Sequence, residues 1–258
     1  MAVLGPDFRA GLRHDLYRPH NPIGLWPAVG IFVLLLLVNQ LVLVLLFQKT
    51  IIALTSGQFG DENEQLRAIL LAILPAGLVT FYIAWILARQ RGADPHMVLA
   101  LRLPALGILG WGLVVVGFFL VINISFFVLA WLFGLDLNSS GLVEQGAMQF
   151  SHDPLYFLIA ASLIIGAPVA EEVIFRGQFF AALSQTPLGT GGASLLTSAL
   201  WAIMHGLTQP LHVVGLLFVM GLVLCGLLIR FGSLWVTIAC HAVWNAVSAI
   251  VLYSMSQP

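Results

Sequence analysis

Residues 154–184 read PLYFLIAASLIIGAPVAEEVIFRGQFFAALS, an apolar run of membrane-spanning length interrupted by only three charges, Glu171, Glu172 and Arg176. At about 1.5 Å of rise per residue, roughly 20 apolar residues cross the hydrocarbon core. An ionisable side chain near the bilayer centre costs about 2.5–3.5 kcal/mol on insertion scales, so it persists where a partner or a watery cavity compensates it. The stretch therefore predicts a membrane helix that carries a site. The rest of the chain agrees: 60% of its 258 residues are hydrophobic and 8% are charged, whereas a water-soluble fold needs roughly a quarter charged. A soluble domain is excluded. Net charge is -1 with no basic cluster, which excludes a nucleic-acid partner. The two cysteines, Cys225 and Cys240, sit inside apolar runs and read as small buried hydrophobes, not as a disulfide framework or a four-ligand zinc site.

Working outward from this span gives an all-α, polytopic transmembrane helical bundle of about seven spans, eight if the long third stretch is broken. The expected spans run from about Pro27 to Gln48, from Ala68 to Ala88, within Leu103 to Leu135, and from Pro154 to Ser184. The fifth follows the breaker Thr186-Pro187-Leu188-Gly189-Thr190-Gly191-Gly192, the sixth covers Leu211 to Ile229, and the seventh Ser233 to Tyr253. The first span is too long for a signal-peptide core and is read as retained. Lysine and arginine accumulate on the cytoplasmic side. With the N-terminus cytoplasmic, Arg9, Arg13, Arg18, Arg89, Arg91, Arg102 and Arg230 fall inside, and only Lys49 and Arg67 fall outside. The loop from Gly134 to Asp153, with Asn138, Ser139, Ser140 and Gly141, divides two regions. Residues 1–150 comprise a polar leader and three plain spans, and residues 151–258 comprise four spans with polar groups at depth.

Those polar groups fall on three spans. Glu172 lies four residues before Arg176, the favourable order for an intrahelical ion pair. Glu171 lies about 100° around the helix and is the carboxylate left to meet another helix. His205 follows Trp201 by one turn on the same face, and His241 precedes Asn245 by one turn. Counting rise from the inner turns puts Glu171, His205, His241 and Asn245 in one layer, on the cytoplasmic side of the midplane. Taken singly, each has a plain structural reading: a membrane histidine as an interhelical hydrogen-bond partner, Asn245 as packing glue, Glu172 with Arg176 as a helix lock. Together they suit hydrolysis. Glu171 and His205 can hold a water for attack on a carbonyl, while His241 and Asn245 can donate to the oxyanion. Alternatively Glu171, His205 and His241 can hold zinc or another divalent metal with the water as its open ligand. The same groups could serve a non-catalytic transporter or proton relay, or an immunity protein that binds a membrane peptide without cutting it. An oxyanion-type His/Asn pair favours the enzyme.

The ordered motifs Glu171-Glu172-Val173-Ile174-Phe175-Arg176, Trp201-x-x-x-His205 and His241-x-x-x-Asn245 resemble the CPBP family, the CAAX proteases and bacteriocin-processing enzymes also called the Abi family, which includes type II CAAX prenyl endopeptidases. The resemblance covers residues 155–250. It departs at Trp201, where the family usually has phenylalanine, a change expected to affect packing more than chemistry. By resemblance, Glu171 and His205 activate water, His241 and Asn245 form the oxyanion hole, Glu172 is a supporting acid and Arg176 its structural partner. The family carries a metalloprotease label, and a metal-free glutamate mechanism is also held for it. The resemblance implies a membrane-associated peptide or protein as substrate and a multi-pass protein of a bacterial cytoplasmic membrane.

Overall fold

The computed structural model describes residues 17–55, 62–90, 93–134 and 149–255. Arg9 and Arg13 of the leader, Arg91, and residues 135–148 of the boundary loop, with Asn138, Ser139, Ser140 and Gly141, lie outside them. The described residues form an all-helical bundle of seven long helices. Helix α1 spans 25–55 as Leu25–Leu37, a π-helical stretch Val38–Leu43, and Val44–Thr55. Next come α2 (Glu62–Gln90), a single turn at Pro95–Val98, and α3 (Ile108–Phe133). Then follow α4 (Tyr156–Ser184), α5 (Gly189–His205), α6 (Leu211–Phe231) and α7 (Leu234–Met255). All but α5 are long and apolar enough to cross a membrane. With 17 residues, α5 stands at the short end of the spanning range, roughly 17–25 residues. The third apolar stretch is one unbroken helix, so the eight-span variant is not realised. Cys225 and Cys240 are both free and buried, as expected for small apolar fillers.

Local chemistry sets the ends. Gly134 and Gly232 take positive φ, 58° and 60°, and stop α3 and α6 with left-handed caps. The C-terminal end of α6 and the N-terminal end of α7 are tied to the segment before α3. Arg102 donates to the last carbonyl of α6, that of Phe231 (2.7 Å), Leu234 N–H donates to the Ala100 carbonyl (2.7 Å), and the Trp235 indole donates to Leu101 (3.0 Å).

Helix α4 is not a regular α-helix. It alternates Tyr156–Ala161, π-helical Ser162–Gly166, Ala167–Glu171, π-helical Glu172–Phe179, and Phe180–Ser184. Such wide turns often mark functional positions. The second one is wholly buried. Behind it, Phe32 of α1 stacks on Phe179 at 4.0 Å between centroids and meets Phe175 edge-on at 5.3 Å. Helix α2 crosses the first π stretch glycine to glycine: a Cβ on Gly166 would lie 2.6 Å from the Leu74 Cα, and one on Gly77 would strike the Gly166 carbonyl. Small residues that admit backbone-to-backbone approach are a common basis of helix association in lipid.

Gly166→Ala is expected to weaken the α2–α4 crossing and lower the thermal unfolding midpoint in detergent, whereas Gly117→Ala, placed in open space, should leave it within about a degree. Equal midpoints for both variants would show that the crossing contributes nothing.

Candidate active site

Two carboxylates consecutive in sequence go to different partners because the helix changes character between them: Glu171 ends a short α segment and Glu172 opens the buried π stretch. Glu172 Oε1 accepts from Arg176 Nη1 (3.1 Å) and from His241 Nδ1 (3.0 Å). The Glu172 and Arg176 side chains are 0% exposed and that of His241 5%. The guanidinium also lies over the Trp201 ring, with its Cζ 4.5 Å from the centroid, a contact that strengthens when water is excluded. Gly221 of α6 makes room for it, since a Cβ there would come within 3.1 Å of Arg176 Nη2 and 2.8 Å of Ser198 Cβ. The expected ion pair is thus present, and α7 joins it.

Glu171 meets α5. Its Oε2 accepts a short bond from the Trp201 indole Nε1–H, 2.6 Å, and lies 3.9 Å from His205 Nε2. The two side chains are 21% and 28% exposed, which makes them the open part of an otherwise sealed cluster. His205 Nδ1 lies 2.8 Å from the Trp201 carbonyl oxygen. A carbonyl only accepts, so Nδ1 carries the proton and, in the neutral ring, Nε2 presents its lone pair to the gap facing Glu171. Two acceptors on either side of a gap are what a single water can address with its two O–H groups. Trp201 is 1% exposed and packs edge-on against His205 (5.0 Å) and His241 (5.5 Å). The indole therefore does more than pack. Its donor reaches a carboxylate, which a phenylalanine could not do, so the departure at Trp201 adds a polar contact to the packing change expected.

His241 and Asn245 both lie on α7 as expected, with their polar groups partly committed. With Nδ1–H given to Glu172, a singly protonated His241 ring leaves Nε2 as an acceptor, and Nε2 donates only in the doubly protonated ring. Asn245 Nδ2 donates to the Leu163 carbonyl at 2.8 Å. The reason lies in α4. The first π stretch ends with Ala167 N–H bonding the Ser162 carbonyl, and the next donor in that ladder would be residue 168, which is proline. Asn245 supplies the hydrogen bond that Pro168 cannot, as neighbouring helices do for prolines in membrane helices. The amide keeps its second N–H.

The expected metal set does not assemble. Glu171 and His205 face each other, but His241 turns to Glu172 and is separated from His205 by the Trp201 ring. Among the described residues no three His, Cys, Asp or Glu side chains converge, whereas catalytic zinc sites use three protein ligands.

Residues 153–247 match the family model described as type II CAAX prenyl endopeptidase Rce1-like. This segment is similar to that family. It contains all of α4, α5 and α6 and most of α7, with Glu171, Glu172, Arg176, His205, His241 and Asn245 inside it. The resemblance expected from the three motifs is therefore found by comparison. No curated protein and no solved structure matches the chain significantly.

The role of Asn245 at Pro168 has a direct check. Asn245→Ala strands the Leu163 carbonyl and should lower the unfolding midpoint, while Pro168→Ala in that background restores a backbone donor and should recover most of the loss. An equal midpoint in the single and double variants would contradict this pairing.

Proposed function

We propose that this protein is an intramembrane endopeptidase that hydrolyses a peptide bond in a membrane-associated peptide or protein. The observation that carries the reading is the Glu171–His205 pair, two acceptors 3.9 Å apart at the open edge of a sealed polar cluster. A water held between them gives up a proton to this pair as its oxygen attacks the scissile carbonyl carbon. His241, in its doubly protonated form, donates through Nε2–H to the oxyanion that forms, together with the second N–H of Asn245. Collapse of the tetrahedral intermediate breaks the C–N bond, and the proton held by the pair passes to the leaving amine. No step is routed through a metal, since the donor set does not converge on one.

Residues 1–150 act in this reading as a scaffold, with α1 and α2 packed behind α4. In this reading the N-terminus is cytoplasmic, which the distribution of arginines supports, and cleavage takes place in the cytoplasmic half of the bilayer. A carrier or immunity protein would need the buried ion pair but not a carboxylate and an unprotonated imidazole nitrogen held open beside each other.

Purified protein in liposomes, incubated with a library of membrane peptides, is expected to cleave a subset of them. Glu171→Gln and His205→Ala should each lose about 100- to 10,000-fold in rate, and His241→Ala about 100- to 1,000-fold. A strong chelator should leave the wild-type rate unchanged. Variants that cleave as fast as wild type would overturn the assignment, and loss of activity on chelation with recovery on added zinc would overturn the metal-free route.

A further inference from the structure

Trp201 touches both halves of the cluster, and its contacts are of different kinds. Its Nε1–H donates to Glu171 Oε2 at 2.6 Å, its backbone carbonyl holds His205 Nδ1 at 2.8 Å, and its face carries the Arg176 guanidinium, Cζ 4.5 Å from the centroid. A buried indole N–H needs an acceptor, and here that acceptor is the carboxylate that faces His205. The bond occupies Oε2, the oxygen nearest His205 Nε2, and so fixes how the carboxylate presents itself across the gap.

Resting on the hydrolase reading above, we infer that Trp201 is a positioning residue for Glu171. Its indole N–H clamps the carboxylate, while its carbonyl sets the tautomer of His205, so that one residue of α5 aligns both members of the water-activating pair. The Arg176 guanidinium on the opposite side holds the indole plane, which couples the buried Glu172–Arg176–His241 cluster to the open one. Trp201 touches no reacting atom in this account. It acts through Glu171.

The clamp is separable from packing. Trp201→Phe removes the donor and changes the ring, whereas replacing Trp201 by 3-benzothienylalanine exchanges Nε1–H for sulfur and keeps the shape. Both are expected to lower kcat about 10- to 100-fold on a cleaved membrane peptide in liposomes, the range that a hydrogen bond to a charged group is worth, with KM changed less than about threefold. In a Glu171→Gln background, Trp201→Phe should change the residual rate by less than about twofold, because the clamp then has no carboxylate to hold. Wild-type kcat in the benzothienyl protein, with loss only in Trp201→Phe, would reduce Trp201 to packing and overturn the inference. Wild-type kcat in both, with Glu171→Gln inactive, would overturn it while leaving the hydrolase reading intact. Wild-type activity in Glu171→Gln would instead defeat the reading on which it rests.

Discussion

A buried carboxylate, Glu172, is the constraint on which the rest of this structure depends. It sits in α4 with no exposure, and it is tolerated because Arg176 and His241 both donate to the same oxygen. Removing one partner of such a buried pair strands the other charge, typically at a cost of about 3–5 kcal/mol. Four helices are held by this requirement. Helix α4 supplies the ion pair and α7 the histidine. Helix α5 supplies the Trp201 face beneath the guanidinium, and α6 supplies a glycine, Gly221, in place of any side chain that would crowd it. With Glu172 fixed inward, the preceding residue, Glu171, is turned toward α5 and the opening.

The N-terminal helices serve that arrangement from behind. Phe32 of α1 is seated against Phe175 and Phe179, on the wide turn that begins at Glu172. Helix α2 meets α4 where Gly77 and Gly166 let the backbones touch, next to the first wide turn. A wide turn leaves helix carbonyls without their regular partners, and each of these regions is closed by a neighbour: Asn245 at Leu163, packed aromatic rings at Phe179. Irregular backbone at membrane depth is acceptable only under such cover.

Much of this was legible in the sequence, for definable reasons. Apolar runs longer than a bilayer crossing admit few alternatives, so the helices were readable to within a few residues at most ends. The spacing of Glu172 and Arg176 identified their pairing, since an intrahelical contact is local. Counting rise puts His205 and His241 in one layer with the carboxylates that they meet, but a shared layer says nothing of direction. Which histidine faces which carboxylate is decided by the wide turns in α4, and these have no periodicity signal. Pro168 beside Gly166 was the visible hint of irregularity, and it also foretold a stranded carbonyl that some donor, here Asn245, had to satisfy. The role of the Trp201 indole was missed because the residue was weighed as an aromatic body. Its buried N–H, one turn from His205, was the signal that a polar partner had to be near. The same matter of direction separates the three candidate metal ligands: His205 faces Glu171 while His241 faces Glu172, with Trp201 packed against both rings.

In the proposed reading the buried cluster is the anchor and the Glu171–His205 edge is where chemistry takes place, with water and not a protein side chain as the nucleophile. Rapid-quench intact-mass analysis of the enzyme during cleavage of a membrane peptide in ¹⁸O-labelled water tests this most directly. The account predicts protein of unmodified mass at every time point, both peptide fragments released together, and one ¹⁸O in the newly formed carboxylate. A peptide fragment covalently retained on the protein, or release of the amine fragment ahead of the acid fragment, would contradict it.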